Sequence, residues 1–224
     1  MADHTAEQRS SQRRNSDPDL RWADLPLCAC SLRHWPEEIA DRHVFSRVSG
    51  TLETPAIWVS GDAPDDIEGA RRFTEDLVGL GIRRIVDVRA EAHRGSRFDF
   101  DVLERSGVAH QHLGVVDHND AFRDGTSVRA WVEALAAVPQ EPLLVHCHMG
   151  VNRSASAAVI MLAARGFTPE QATREVLENR ASALAVYAPV SFHVVDGEHA
   201  AEVARSVIRE LRAGDRRLRD LQLL

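Results

Sequence analysis

The feature that most constrains this chain is an alternation, from residue 56 to residue 180, between short apolar runs and longer segments with helical spacing. Ala56 to Ser60 (A-I-W-V-S), Arg84 to Val88 (R-I-V-D-V), Ala109 to Val116 and Pro142 to His146 (P-L-L-V-H) have the length and punctuation of strands. Asp65 to Leu80 carries Ile67, Ala70, Phe73, Leu77 and Leu80 at helical intervals and stops at Gly81. Phe98 to Arg105 is a weaker helical segment closed by Gly107, and Ser127 to Val138 sets Trp131, Leu135 and Val138 on one face. Val151 to Arg165 is apolar nearly all round, and Thr168 to Asn179 opens with T-P-E, a cap, a first-turn proline and a first-turn acid. Strands that alternate with helices predict an α/β fold, a mostly parallel central sheet flanked by helices. Ligands of such sheets bind beyond the carboxyl ends of the strands.

Hydrophobic residues make up 44% of the chain, enough for a buried core. The net charge of -7 argues against a nucleic-acid coat or an anionic membrane as partner. A negatively charged substrate therefore requires a local cationic pocket. All 27 basic residues are Arg, so every cationic site is a guanidinium or a His, in a composition of the kind a GC-rich bacterial genome encodes. Three Cys (Cys28, Cys30, Cys147) and a polar N-terminus without an apolar run point to a reducing, cytoplasmic setting. No stretch has the apolar length of a membrane span. Residues 1–20, rich in Ser, Arg and Asp, are expected to be a disordered tail, and residues 21–43, with Trp22, Leu25, Leu27 and Trp35, an arm packed on the domain.

The segment His146 to Ser156, H-C-H-M-G-V-N-R-S-A-S, lies between an apolar strand and an apolar helix. A thiol just past a strand end, with a helix starting a few residues later, faces converging backbone N–H groups. Those donors, the helix dipole and an Arg six residues on stabilise negative charge, favour the thiolate and bind a phosphate dianion. Gly150 lets the loop turn, Arg153 can grip two phosphoryl oxygens, and Ser154 can donate to the sulfur.

His-Cys, five residues, Arg and Ser form the signature of the protein-tyrosine-phosphatase superfamily, and the whole string resembles its dual-specificity branch, close to the slingshot-like form of the loop. The upstream I-W-V-S-G-D-A-P and L-G-I-R-R-I-V-D-V resemble the opening strand–helix–strand of the same branch. The resemblance covers residues 44 to 180 and implies a phosphatase domain, drawn over 44–212 to take in a closing helix near Glu198 to Arg212, with 213–224 left as a tail without assigned function. It implies Cys147 as nucleophile, substrate oxygens held by Arg153 and the amides of His148, Met149, Gly150, Val151, Asn152 and Arg153, and sulfur departure assisted by Ser154. His146 would orient the loop and tune the thiol through a hydrogen bond to backbone. The general acid of the family precedes the Cys by about thirty residues. Asp117 fits that place ahead of Asp120, and Asp124 reads better as a helix cap.

The resemblance implies no cofactor and no metal, and a phosphoprotein partner carrying phosphotyrosine, phosphoserine or phosphothreonine. The pairs His110/His112 and His146/His148 could suggest a metal site, but a strand face and the phosphatase loop account for them. His118 is a pocket-lining or exposed residue. Cys28 and Cys30 read as small buried hydrophobes, with a protective disulfide to Cys147 as the sharper alternative. Asp87 and Arg89 at a strand end suggest a structural salt bridge, and Arg94 and Arg97 a cationic rim. Two rival functions remain at this level. Asn152-Arg153 is similar to the loop of RNA 5′-triphosphatases, which the acidic chain disfavours. A non-turnover phospho-binding module would not need the complete Cys, Arg, Ser set.

Overall fold

The computed structural model describes residues 41–48, 55–90, 97–116, 122 and 124–214. The expected N-terminal tail, the arm up to residue 40, Cys28, Cys30, Arg94, Asp117, His118, Asp120 and the C-terminal residues from 215 lie outside the described residues.

Among the described residues, five strands form one sheet: β1 (Ser46–Arg47), β2 (Ile57–Ser60), β3 (Arg84–Arg89), β4 (Ala109–Val115) and β5 (Leu143–His146), in the order β1-β2-β5-β3-β4. Of the described strands, β1 runs antiparallel to its neighbour and the other pairs are parallel. The fold is therefore the expected α/β arrangement with a mostly parallel sheet, extended by a short edge strand from the start of the domain. β5 is central, and all four of its residues are buried. Because side chains alternate across a strand, Leu143 and Val145 face one core while Leu144 faces the other. The same alternation sends Ile85 to the second core and Val86 and Val88 to the first.

The second core lies under α1 (Ile67–Gly79) and α2 (Phe100–Arg105), where Phe73, Leu77, Phe98 and Leu103 pack on Ile85 and Leu144. Both helices are capped by Asp side chains: Asp66 accepts the Gly69 N–H at 2.7 Å and Asp99 the Val102 N–H at 3.0 Å. The larger core lies under α3 (Gly125–Ala136), α4 (Arg153–Ala164), α5 (Pro169–Asn179), α6 (Ala188–Asp196) and α7 (Glu198–Gly214). α4 is buried from Arg153 to Leu162, as expected of a helix apolar nearly all round. α5 opens with a complete capping box, Thr168 and Gln171 each accepting from the other's backbone N–H. The closing helix expected near 198–212 is α7. α6, in the apolar segment A-P-V-S-F-H-V-V, was not foreseen. No described helix is long and apolar enough to cross a membrane.

Candidate active site

The register of β3 and β5 decides what meets at the carboxyl end of the sheet. Asp87 pairs with His146 across the ladder, so both side chains project to the α1/α2 side. Cys147, one residue further, falls with Val145 on the α4 side and is 3% exposed. Between β5 and α4 the chain makes a loop whose carbonyls are held from outside. The His148 carbonyl accepts the Asp62 N–H at 3.1 Å and Arg42 Nε at 3.3 Å. The Gly150 carbonyl accepts Arg180 Nε at 2.7 Å, and the Val151 carbonyl accepts the N–H groups of Leu184 at 3.0 Å and Ala185 at 3.4 Å. A trans peptide points its N–H opposite its C=O. Holding these three carbonyls outward therefore turns the amides of Met149, Val151 and Asn152 toward the loop interior. The Gly150 N–H already reaches Cys147 Sγ, at 3.2 Å.

Ser154 Oγ lies 3.2 Å from the same sulfur. Arg153 opens α4, is 3% exposed, and donates from Nη1 to the Val115 carbonyl at 3.3 Å. The structure thus brings together the residues that the sequence reading grouped: Cys147, Ser154, Arg153 and the loop 148–152. The sulfur sits among polar donors at the mouth of a helix, and the guanidinium is turned inward to the sheet edge rather than outward. The guanidinium groups of Arg42, Arg89 and Arg180 lie near enough to Cys147 for a charge on its sulfur to act on them. Backbone N–H groups, a helix N-terminus and guanidinium groups around one thiol can stabilise a thiolate and an oxyanion together.

Behind the loop lies a buried charge cluster. Arg89 donates to Asp87 from Nε and Nη2, and from Nη1 to Asp62 at 2.5 Å; all three are under 5% exposed. The salt bridge expected of Asp87 and Arg89 is present, with Asp62 as a second carboxylate that sequence reasoning did not select. Burial opposes ionisation of Asp87, but hydrogen bonds from Arg89, together with electrostatic attraction from His146 and Arg89, outweigh it and hold the carboxyl down at about 2. The hydrogen bond expected of His146 is not formed. Neither of its ring nitrogens has a partner among the described residues, and the Asp87 carboxylate is 3.7 Å from Nε2. Complete burial lowers its pKa to about 4, so the ring is neutral near pH 7. Its neighbour on that side is Phe98, edge to face at 4.8 Å.

Asp87, His110 and His146 place one potential ligand atom each within 4.8 Å of one another. Both oxygens of Asp87 are engaged by the Arg89 guanidinium, whose charge opposes a divalent cation there. His112 is bound by its Nε2 to the Arg89 carbonyl at 2.7 Å. Arg97 pairs with Asp65. Asp124 caps α3, accepting from Thr126 N–H and Ser127 Oγ, as the cap reading expected.

Gly61, Arg42 and Arg180 belong to the loop's support and carried no sequence signal of that role. A Cβ at Gly61 would stand 2.7 Å from Arg42 Cγ and 3.0 Å from the His148 carbonyl oxygen, so only glycine lets β2 end against the loop. The bare G-D following an apolar strand was the one available hint.

No family model matches the chain. Among curated proteins, human dual specificity protein phosphatase 13B is 28% identical over 156 residues, covering 64% of this chain and 74% of that protein. In sequence the chain is similar to a dual specificity protein phosphatase. Of the solved structures, a mouse putative dual specificity phosphatase complexed with zinc tungstate is 24% identical, with TM-score 0.48 over 75% of this chain and 96% of that one. A kinase associated phosphatase with its catalytic cysteine replaced by serine is 17% identical, with TM-score 0.48 over 70% and 95% of the two chains.

Proposed function

We propose that this dual-specificity phosphatase relative hydrolyses phosphoprotein monoesters, with Cys147 as nucleophile and a cysteinyl-phosphate intermediate. The observation that carries the reading is the tethering of the loop carbonyls, which turns the amides of Met149, Val151 and Asn152 inward beside Arg153, with the Gly150 N–H on the sulfur. In the first step the Cys147 thiolate forms an S–P bond as the P–O bond to the leaving group breaks. The leaving oxygen takes a proton from a carboxylic acid. In the second step water attacks phosphorus, its proton passes to the same carboxylate, and the S–P bond breaks to release inorganic phosphate. Arg153 and the amides of residues 148–153 stabilise the equatorial oxygens, and Ser154 donates to the departing sulfur.

Asp117 is the acid in this scheme, ahead of Asp120. In sequence it follows Val115, whose carbonyl meets Arg153, by two residues. The substrate is a phosphorylated side chain, phosphotyrosine and phosphoserine or phosphothreonine alike.

The test is hydrolysis of an aryl phosphate without added metal, with vanadate as inhibitor. Wild type should turn over and be inhibited, and Cys147→Ser should be inactive; activity that survives Cys147→Ser removes the proposal. Asp117→Asn should slow poor leaving groups by a factor on the order of a hundred while sparing binding. The same loss from Asp120→Asn with Asp117→Asn unaffected would reassign the acid. Activity confined to phosphotyrosine in a phosphopeptide panel would withdraw the dual specificity.

A further inference from the structure

Arg180 stands outside the signature, just past the end of α5, and is 1% exposed. Its guanidinium donates to five oxygens drawn from distant parts of the chain. Nε binds the Gly150 carbonyl at 2.7 Å. Nη1 reaches the Val44 and Val59 carbonyls and Ser46 Oγ, each at 3.1 Å, and Nη2 the Asp41 carbonyl at 3.0 Å. Four of these are backbone carbonyls, and the nearest carboxylate, on Asp41, is 3.7 Å away. A buried cation solvated mainly by neutral dipoles keeps much of its charge available to its surroundings. Burial pulls its pKa down, while Asp41 and Cys147 oppose that fall.

Gly150 and Arg180 are interlocked. Gly150 has φ +76°, and a Cβ there would lie 2.2 Å from Arg180 Nη2 and 2.6 Å from the Gly61 nitrogen. Holding the Gly150 carbonyl fixes the 150–151 peptide plane and turns the Val151 N–H inward. The Gly150 N–H, on the preceding peptide, is the amide that reaches Cys147 Sγ.

We infer that Arg180 is a positioning residue for the proposed reaction: it sets the phosphate-loop peptides so that their amides meet the Cys147 sulfur and the phosphoryl oxygens, and adds a buried positive charge that favours the thiolate. The inference rests on Cys147 being the nucleophile. Other charges lie near that sulfur as well: Arg42 from the segment before β1, and Arg89 from β3 with Asp62 and Asp87 bound to it; Arg153 opens the helix that follows the loop. Removal of Arg180 therefore takes away one of several positive charges near the sulfur, and its effect on thiol reactivity is expected to be partial.

The experiment compares wild type, Arg180→Lys, Arg180→Met and Gly150→Ala, each in the full chain with Cys28 and Cys30 changed to Ser so that one thiol remains. Three quantities are read: the pH profile of iodoacetamide alkylation at Cys147, the inhibition constant of vanadate, and kcat/KM for an aryl phosphate. Circular dichroism establishes that each variant is folded. The expected result for Arg180→Met is an alkylation profile moved up by about one pH unit. Vanadate should bind at least tenfold more weakly and kcat/KM should fall at least thirtyfold. Arg180→Lys should restore part of the alkylation profile, because it keeps the charge, and little of the vanadate affinity, because it lacks the planar fork. If Arg180→Met does not fold, Arg180→Lys and Gly150→Ala carry the test, and both should weaken vanadate. Folded variants with an unchanged alkylation profile and kcat/KM within twofold of wild type overturn the inference. That failure is distinct from failure of the nucleophile assignment, which would show as turnover by Cys147→Ser.

Discussion

At the residue scale, His146 illustrates how burial can replace a hydrogen bond as the determinant of a side chain's state. The signature led to a ring bonded to backbone, yet the register of β3 and β5 points it at Asp87 and Phe98 inside the second core. Its folded pKa of about 4 lies below the 6.5 of the exposed side chain. The unfolded chain therefore binds a proton here that the folded chain refuses between those pH values. The stability contribution is fully present above pH 6.5 and is lost as pH falls toward 4, by about 3 kcal/mol. Other carboxylates titrate near the lower limit, so the measurement is a difference. Urea unfolding of wild type and His146→Leu at pH 7 and pH 4.5 should show a smaller loss in the variant. An equal loss in the two would mean that His146 is protonated in the folded protein.

At the element scale, the strand–loop–helix unit around Cys147 was legible because its signals are local. β5 is a short apolar run, α4 is apolar nearly all round, and the loop carries its chemistry in adjacent positions. Boundaries were less legible for an equally physical reason. α4 begins at Arg153 rather than Val151 because tertiary partners claim the Val151 carbonyl, and α3 begins at Gly125 because Asp124 caps it. α6 escaped because its β-branched residues give no helical signal locally, while Pro at its start and packing on the main core favour a helix. Arg180 could not have been found locally, since its partners lie 30 to 139 residues away in sequence. The capping box of α5 was legible, and its energetic weight is testable. Thr168→Ala should cost about 1 kcal/mol, and Thr168→Ala with Gln171→Ala less than the sum of the two changes because their bonds are reciprocal. Denaturant midpoints of the three variants measure this, and full additivity would mean that the two bonds act independently.

At the scale of the whole molecule, the loop is held between two segments remote in sequence. Residues 41–48 supply Arg42 to the His148 carbonyl, the Asp41 and Val44 carbonyls and Ser46 Oγ to Arg180, and β1 to the sheet. Residues 180–185 supply Arg180 to Gly150 and two amides to Val151, and are braced by Arg212 of α7, which donates to the Leu184 carbonyl at 3.2 Å. The loop geometry is thus a property of the closed assembly rather than of the signature peptide. It follows that a chain beginning at Ser49 should lose far more activity than one beginning at Asp41, though neither removes a residue of the signature. Relative to the chain beginning at Asp41, kcat/KM for an aryl phosphate should fall at least thirtyfold, about 2 kcal/mol in transition-state terms. The Arg180 guanidinium would retain only Gly150 and Val59 of its five oxygens, with water in place of the rest. Thermal unfolding of the two chains separates the contributions. A drop in kcat/KM measured well below both melting temperatures would locate the loss in loop geometry. Equal kcat/KM under those conditions would mean that Arg180 and residues 184–185 hold the loop without residues 41–48.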